Sequence, residues 1–130
     1  MSQSLDQKRA SYAWECVRNV TGDYVNLAKA APSLIMANGL MQTLAFFKSK
    51  GKDHHEKVLQ HILGWLGKPE AGCSFLRSNG PSATFDTAMP ALAGASSEQY
   101  LRATQEALAI LKWIRHLAAA AQRTQGGDKK

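Results

Sequence analysis

A chain of 130 residues with 45% hydrophobic and 20% charged residues is long enough to bury a core without disulfides or structural metals. Its formal net charge of +6 favours polyanionic partners, although an excess of this size also occurs in proteins that bind no nucleic acid. Two cysteines, Cys16 and Cys73, are too few for a disulfide framework and favour a reducing, cytoplasmic compartment. The N-terminus lacks a basic segment followed by an apolar run, so neither a signal peptide nor a membrane anchor is expected.

The N-terminal part of the chain shows helical periodicity. Apolar side chains recur on one face of residues 5–20, and Ser4 precedes them as an N-cap, which predicts the first helix. We expect Gly22 to end this helix and Asp23 to cap a second helix at residues 24–30.

Residues 31–50 are the most apolar segment of the chain. Read as a helix, they leave only a polar stripe within roughly 40°, formed by Asn38, Gln42 and Ser49. A helix with so little polar surface is expected at the centre of a bundle, with other helices packed on several sides. Pro32 predicts a restart or a kink near its start. Gly39 predicts a bend that divides it into two short helices, and Gly51 is expected to end it.

Residues 54–66 have the clearest amphipathic pattern. Asp53 is expected as the N-cap of this helix, with Glu56 as its capping-box partner. The residues expected to face the core are Val58, Leu59, Ile62, Leu63, Trp65 and Leu66. Those expected to face solvent are Lys57, Gln60, His61 and Gly64.

Three histidines in this region, His54, His55 and His61, do not have the spacing of a metal site. Zinc ligands on one helix lie about one turn apart, at positions i and i+4. The residues one turn after His54 and His55 are Val58 and Leu59. We therefore predict no metal site and expect exposed histidines at the start of a helix.

The C-terminal half begins irregularly and ends in the longest predicted helix. Residues 67–95 contain three of the four prolines and several apolar side chains, so one or two short packed helices joined by loops are expected. Ser96 and Gln99 form a predicted capping box at the start of the longest helix, residues 97–123.

One face of this longest helix is apolar and the opposite face is basic. The apolar arc consists of Tyr100, Leu101, Ala103, Thr104, Ala107, Leu108, Ile110, Leu111, Ile114, Leu117 and Ala118. The opposite stripe consists of Arg102, Gln105, Lys112, His116 and Arg123, with Glu106 at its edge.

No segment shows the alternating pattern of a β-strand, so the chain is predicted to be all-α. We expect one compact helical bundle domain at residues 1–123 and a disordered tail at residues 124–130. Nucleophile signatures and phosphate-binding loops are missing from the sequence. Acidic residues expected on solvated helix faces or in caps are Glu15, Glu56, Glu98 and Glu106. No catalytic residue, metal or cofactor is therefore predicted.

The candidate nucleic-acid-binding residues are basic and form two groups. The lysine cluster consists of Lys48, Lys50, Lys52 and Lys57. The second group consists of Arg102, Lys112, Arg115 and Arg123. Such groups are either solvated faces or contacts to a phosphate backbone, and spacing alone does not distinguish the two.

Two tryptophans are candidates for a protein interface. Trp14 and Trp113 each lie at the margin of an apolar helix face. Half-exposed tryptophans on a small domain favour contact with another protein, and Arg18, one turn after Trp14, is assigned to the same interface.

Two motifs in this chain carry a resemblance to a known family. The first is PSLIMANGLMQTLAFFKSK at residues 32–50, and the second is YLRATQEALAILKWIR at residues 100–115. In this order they resemble the small subunit of the type III-B CRISPR effector, the Cmr complex, and the likeness spans most of residues 5–123.

The resemblance implies a compact helical bundle without catalytic activity or cofactor. Several copies would stack along an RNA-guided, RNA-targeting complex, beside the duplex of crRNA and target RNA. The implied partners are further copies of the chain, the backbone and large Cmr subunits, and both RNAs through the basic faces. A protein-interaction module without direct nucleic-acid contact remains the alternative.

Overall fold

Short capping motifs and amphipathic periodicity produce an all-helical chain. The computed structural model describes residues 3–126, with side chains as far as Arg123, and that range contains no strand. In chain order the helices are α1 (Leu5–Cys16), α2 (Gly22–Asn38), α3 (Leu40–Lys50), α4 (Asp53–Leu66), α5 (Phe85–Ala93) and α6 (Ser97–Gly126). Two short 3₁₀ turns, Pro69–Ala71 and Ser74–Arg77, lie between α4 and α5. The predicted all-α fold class is confirmed.

Helix α6 is the element that most of the others contact. It packs against α1, α2, α3 and α4. Its buried side chains are Ala103, Ala107, Ile110, Leu111, Ile114, Ala118 and Ala121, and the small alanines let neighbouring helices approach closely. α2 runs antiparallel to α6, because Gly22 lies beside the Gln122 side chain and Tyr100 reaches Met41 just beyond the end of α2.

The apolar segment at residues 31–50 is buried along one side and not on several. Gly39, at φ +87°, separates α2 from α3, which confirms the predicted division into two helices. Buried residues of this segment include Ile35, Leu40, Leu44 and Phe47. Met36 is 77% exposed and Phe46 is 44% exposed, because the neighbouring helices leave the other side of the segment open to solvent.

The predicted restart at Pro32 is wrong. α2 continues through this proline from Gly22 to Asn38. A proline in a helix interior costs about 3 kcal/mol because it removes one backbone hydrogen bond. Burial of Tyr24, Val25, Ala28, Ala31 and Ile35 along the same helix offsets that cost.

The predicted end of the first helix and start of the second also move. α1 ends at Cys16, four residues before the predicted end, and Thr21 caps α2 by accepting a hydrogen bond from the Tyr24 amide (3.2 Å). Gly22 therefore begins α2 and does not end α1. Ending α1 early leaves a turn at residues 17–19 before Thr21 caps α2.

The start of α4 differs from the predicted capping box. Lys52 is the N-cap residue and makes no side-chain capping hydrogen bond, so Asp53 is the first helical residue. The Glu56 carboxylate pairs with the Lys48 ammonium (3.6 Å) across the α3–α4 turn. The capping box of Ser96 and Gln99 is confirmed by its two reciprocal bonds of 3.0 and 3.1 Å.

The segment between α4 and α6 is short but packed. α5, with a capping box of Thr84 and Thr87, confirms that this segment contains a short helix. It contacts α3, α4 and the second 3₁₀ turn, and Leu76, Ala88 and Leu92 are buried there. At the C-terminus α6 continues to Gly126, three residues beyond its predicted end; the rest of the predicted tail, 127–130, lies outside the described residues.

Candidate nucleic-acid interface

A row of exposed basic side chains follows one face of α6. Arg102, Lys112, His116 and Arg123, here called the α6 stripe, are all exposed, and the 21 residue steps from first to last span about 31 Å. Arg115 is also exposed. At about 100° per residue, Lys112 and Arg123 lie within about 20° of each other around the helix. Arg102 and Arg115 lie about 80° and about 60° from Lys112, on opposite sides. All four predicted α6 residues are thus exposed, with Arg102 and Arg115 at the two margins of the basic surface.

Arg102 is held against the body of the protein. Its guanidinium lies over Gly72, where a Cβ atom would come within 2.5 Å of Nη2. Gly72 has a φ of +78°, a left-handed conformation that glycine adopts without strain. The first residue of the α6 stripe is therefore positioned by the loop that follows the first 3₁₀ turn.

A cleft of about 310 Å³ opens beside the stripe. It is lined by Asp6, Ala109, Lys112, Trp113 and His116, and we call it the Trp113 cleft. Asp6 Oδ1 accepts a hydrogen bond from Trp113 Nε1 (2.9 Å) and another from Arg9 Nη1 (3.2 Å). The bond from Trp113 lowers the pKa of Asp6, with a further contribution from Arg9. The indole is therefore fixed in orientation and partly buried, unlike Trp14, which is 47% exposed.

All four side chains of the lysine cluster are exposed, and two of them also make contacts within the protein. Lys48 pairs with Glu56, and its ammonium also lies 5.9 Å from the centre of the Phe85 ring. The Lys50 ammonium lies 5.6 Å from the centre of the Phe46 ring, Lys52 occupies the N-cap position of α4, and Lys57 is exposed on that helix. The cluster thus consists of four exposed lysines around the α3–α4 turn, and its contact with nucleic acid stays a prediction.

Glu106 is buried, so its expected place on a solvated face is wrong. Its carboxylate accepts hydrogen bonds from Arg9 Nε (2.9 Å), Arg9 Nη2 (2.7 Å) and Trp65 Nε1 (2.8 Å). Burial opposes ionisation of Glu106, but the bonds from Arg9 and Trp65 outweigh it, and the pKa of Glu106 is lowered. α1 covers this edge of α6, a tertiary contact that helical periodicity does not reveal.

The three histidines lie in two different surroundings, and none of them is fully exposed as predicted. His61 Nδ1 and the Tyr24 hydroxyl are hydrogen-bonded (2.7 Å), and burial lowers the pKa of His61 to about 4. His55, only 7% exposed, packs against the rings of Phe46 and Phe47. His54 stacks on His55 at 4.4 Å between ring centres.

Gly64, predicted to face solvent, lies under the Tyr12 hydroxyl, which donates to the His61 carbonyl (2.7 Å). The two thiols are unpaired with each other, and burial raises the pKa of Cys16 to about 11 and that of Cys73 above its usual value. Within residues 3–126, no three His, Cys, Asp or Glu side chains are grouped as metal ligands.

Large apolar side chains are exposed on three helices. Arg18, beside Trp14, pairs with Glu15 at 3.5 Å. Leu101, placed by periodicity in the apolar arc, is 57% exposed, so the arc is narrower at the start of α6 than predicted. Trp14, Met36 and Leu101 are thus the large apolar side chains that α1, α2 and α6 present to solvent.

These features define a small all-α protein whose longest helix carries a basic face on one side and the core on the other. No helix among residues 3–126 is long and apolar enough to cross a bilayer. Residues 5–121 match the family described as CRISPR-associated protein (Cas_Cmr5), and the chain belongs to that family. The resemblance noted in the sequence is confirmed.

Similar proteins agree with this assignment. A Thermus thermophilus protein named CRISPR system Cmr subunit Cmr5 is 31% identical over 130 residues, covering 91% of this chain and 96% of that protein. A Thermotoga maritima protein of the same name is 33% identical over 66 residues, covering 48% and 51% of the two chains. The crystal structure of a Cmr5 family protein from Thermus thermophilus matches with a TM-score of 0.72 and 27% identity, covering 92% of this chain and 98% of that one.

Proposed function

We propose that this chain is the small subunit of a type III-B Cmr effector complex and contributes structure to it without catalysis. Its relatives named Cmr subunit Cmr5, and the match of residues 5–121 to that family, support this role. The partners would be the backbone and large Cmr subunits, further copies of the chain, crRNA and target RNA. The two free thiols suit a reducing cytoplasm.

The absence of a catalytic role is supported by what the buried ionisable groups do. Glu106 is held by Arg9 and Trp65, and His61 is held by Tyr24. An active site instead requires ionisable groups that converge on a space where a substrate can bind. Both of these groups join one helix to another, which is a structural use.

The α6 stripe is the surface proposed to line the groove that holds the RNAs. One observation carries this: exposed cations extend for about 31 Å along α6. Of the two acids on this helix, Glu106 is buried, whereas Glu98, one turn before Arg102, is exposed at the start of the stripe. Rows of Lys and Arg that neutralise phosphates give affinity that is independent of sequence and falls with salt.

Charge reversal tests this surface. In the reconstituted complex, Arg102→Glu, Lys112→Glu and Arg123→Glu together should weaken target-RNA binding and reduce the slope of log affinity against log salt by about two. Lys112→Glu alone should weaken binding more than the matched control Lys29→Glu, because Lys29 is an exposed lysine on α2, outside both basic groups. Equal affinities and slopes for all variants would contradict the assignment. The lysine cluster is tested separately by the same reversal.

The second candidate is a module that binds only proteins. Exposure of Trp14, Met36 and Leu101 favours it, because large exposed apolar side chains are typical anchors of interfaces. It predicts that Trp14→Ala prevents incorporation into the complex, measured by co-purification, while charge reversal on the α6 stripe leaves RNA affinity unchanged. Incorporation of Trp14→Ala at the wild-type level would contradict a role of this surface in assembly.

A further inference from the structure

The Trp113 cleft combines an aromatic ring, a lysine and a histidine in one small space. The Trp113 indole is fixed by its bond to Asp6, and Lys112 and His116 line the same cleft. Ala109, one turn before Trp113, contributes only a methyl group, which leaves room beside the ring. The volume of about 310 Å³ is at the lower end of the range for small-ligand pockets, so the cleft suits one planar ring.

The chemistry of the lining favours a nucleotide over a protein side chain. Centres of protein interfaces are depleted of lysine and other charged residues, whereas this cleft contains Lys112 and Asp6. Proteins that bind single strands place bases on aromatic rings and phosphates on neighbouring cations. The α6 stripe supplies such cations on either side, since Arg102 and Arg123 lie along the same helix.

We infer that the Trp113 cleft binds an unpaired nucleobase of an RNA strand that follows the α6 stripe. The base stacks on the indole and its phosphate is bound by Lys112 and His116. Asp6 is a positioning residue, because it touches the indole and not the RNA in this arrangement. The inference rests on the proposed function, and it reassigns Trp113 from a protein interface to a base-stacking role.

The test separates base contacts from backbone contacts. Affinity of the full chain is measured by fluorescence anisotropy for a short oligoadenylate and for an abasic ribose-phosphate oligomer of equal length. Trp113→Leu should lower oligoadenylate affinity about 5- to 100-fold, as expected for one lost stacked base, and leave abasic affinity unchanged. Trp113→Phe should retain part of the affinity, and Trp14→Leu, which alters the other exposed tryptophan, should retain all of it.

A pair of variants at Asp6 provides a second readout that does not depend on changing the ring. Asp6→Ala and Asp6→Asn remove the same charge, but only asparagine can still accept the bond from Trp113 Nε1. Asp6→Asn should therefore bind oligoadenylate more tightly than Asp6→Ala, and this difference should vanish when Trp113 is also leucine.

The outcomes distinguish this inference from the proposed function. Unchanged oligoadenylate affinity for Trp113→Leu, with weakened binding after charge reversal of the stripe, overturns the inference and leaves the proposed function standing. No effect of either change overturns both the inference and the proposed RNA contact of the stripe. No binding by the wild-type chain overturns the inference alone, because the stripe is tested in the reconstituted complex. Loss of complex assembly with normal RNA binding would make Trp113 a protein contact and also overturn the inference. If Trp113→Leu unfolds, the Asp6 pair decides.

Discussion

At the scale of single residues, Glu106 determines how α1 is held against α6. Arg9 on α1 and Trp65 on α4 both donate to its carboxylate, so one side chain joins three helices. The side chain of Glu106 is 9% exposed and that of Arg9 is 17% exposed. A buried ion pair gains little over an apolar pair, but removing one partner leaves the other charge without compensation.

Glu106→Gln should lower the free energy of unfolding by about 2–4 kcal/mol, because the Arg9 guanidinium would face a neutral amide in a partly buried site. Urea unfolding measures the loss. Glu15→Gln, in the exposed pair with Arg18, is the control and should cost about 0–1 kcal/mol. Equal costs for the two substitutions would show that the Arg9–Glu106 contact contributes no more than a surface pair.

At the scale of elements, the joint between α2 and α3 decides where the apolar segment bends. Gly39 has φ +87° and ψ 161°, a conformation that side chains other than hydrogen rarely adopt. The next helix begins at once, and the Tyr100 hydroxyl on α6 accepts a hydrogen bond from the Met41 amide (3.1 Å), which is otherwise unpaired at a helix start. A bend in one element is thus fixed by a side chain from another.

Gly39→Ala should destabilise the protein by about 1–3 kcal/mol through backbone strain. A steric clash would not contribute, because the atom nearest to the new Cβ would be Tyr100 Oη at 3.9 Å. Gly51→Ala is the matched comparison: φ is +66°, ψ is 7° and no atom lies within 4 Å, so the left-handed penalty of about 1 kcal/mol is expected. Thermal unfolding of both variants checks these costs. Because neither Cβ would meet a close contact, a negligible cost for both variants would show that steric contact and not φ sets the cost.

The elements themselves were largely predictable because their signals are local. Ser4, the box of Ser96 and Gln99, and the apolar spacing of α4 each act within a few residues, and all are found as expected. The burial of Glu106 was not predictable, because it depends on the packing of α1 over the margin of the apolar face of α6. Helical periodicity does not indicate whether a residue at that margin is covered. α2 continues through Pro32 for a similar reason, since the free energy gained by packing the whole helix exceeds the cost of the hydrogen bond lost at the proline.

The candidate site shows the same division between local and tertiary information. The exposure of Arg102, Lys112 and Arg123 follows from their position opposite the apolar arc of α6. The bond between Asp6 and Trp113 joins residues 107 positions apart, and nothing in the spacing of either segment indicates it. Its absence from the sequence pattern explains why Trp113 was grouped with Trp14.

At the scale of the whole molecule, a hydrogen-bonded group of Tyr12, Tyr24 and His61 joins α1, α2 and α4. The Tyr24 hydroxyl is hydrogen-bonded to His61 Nδ1, and the Tyr12 hydroxyl donates to the His61 carbonyl, both at 2.7 Å. Burial lowers the pKa of His61 from 6.5 to about 4, so between these values the folded protein binds fewer protons than the unfolded chain.

This difference predicts an acid-sensitive fold. The contribution of neutral His61 is fully present above about pH 6.5 and is lost as pH falls toward about 4. The loss should be about 1–2 kcal/mol, less than the full pKa shift implies because the ring keeps some contact with water. Urea unfolding across this pH range measures it, and His61→Gln should flatten the profile. A variant that keeps the wild-type pH profile would assign the acid sensitivity to other groups.

The α6 helix makes the main internal contacts with one face and carries the cations of the stripe on the other. Any anion that binds the stripe therefore also stabilises α6, the helix against which most of the other helices pack. Binding of RNA to the stripe is thus thermodynamically linked to folding. RNA should raise the melting temperature of this chain in proportion to the logarithm of the RNA concentration.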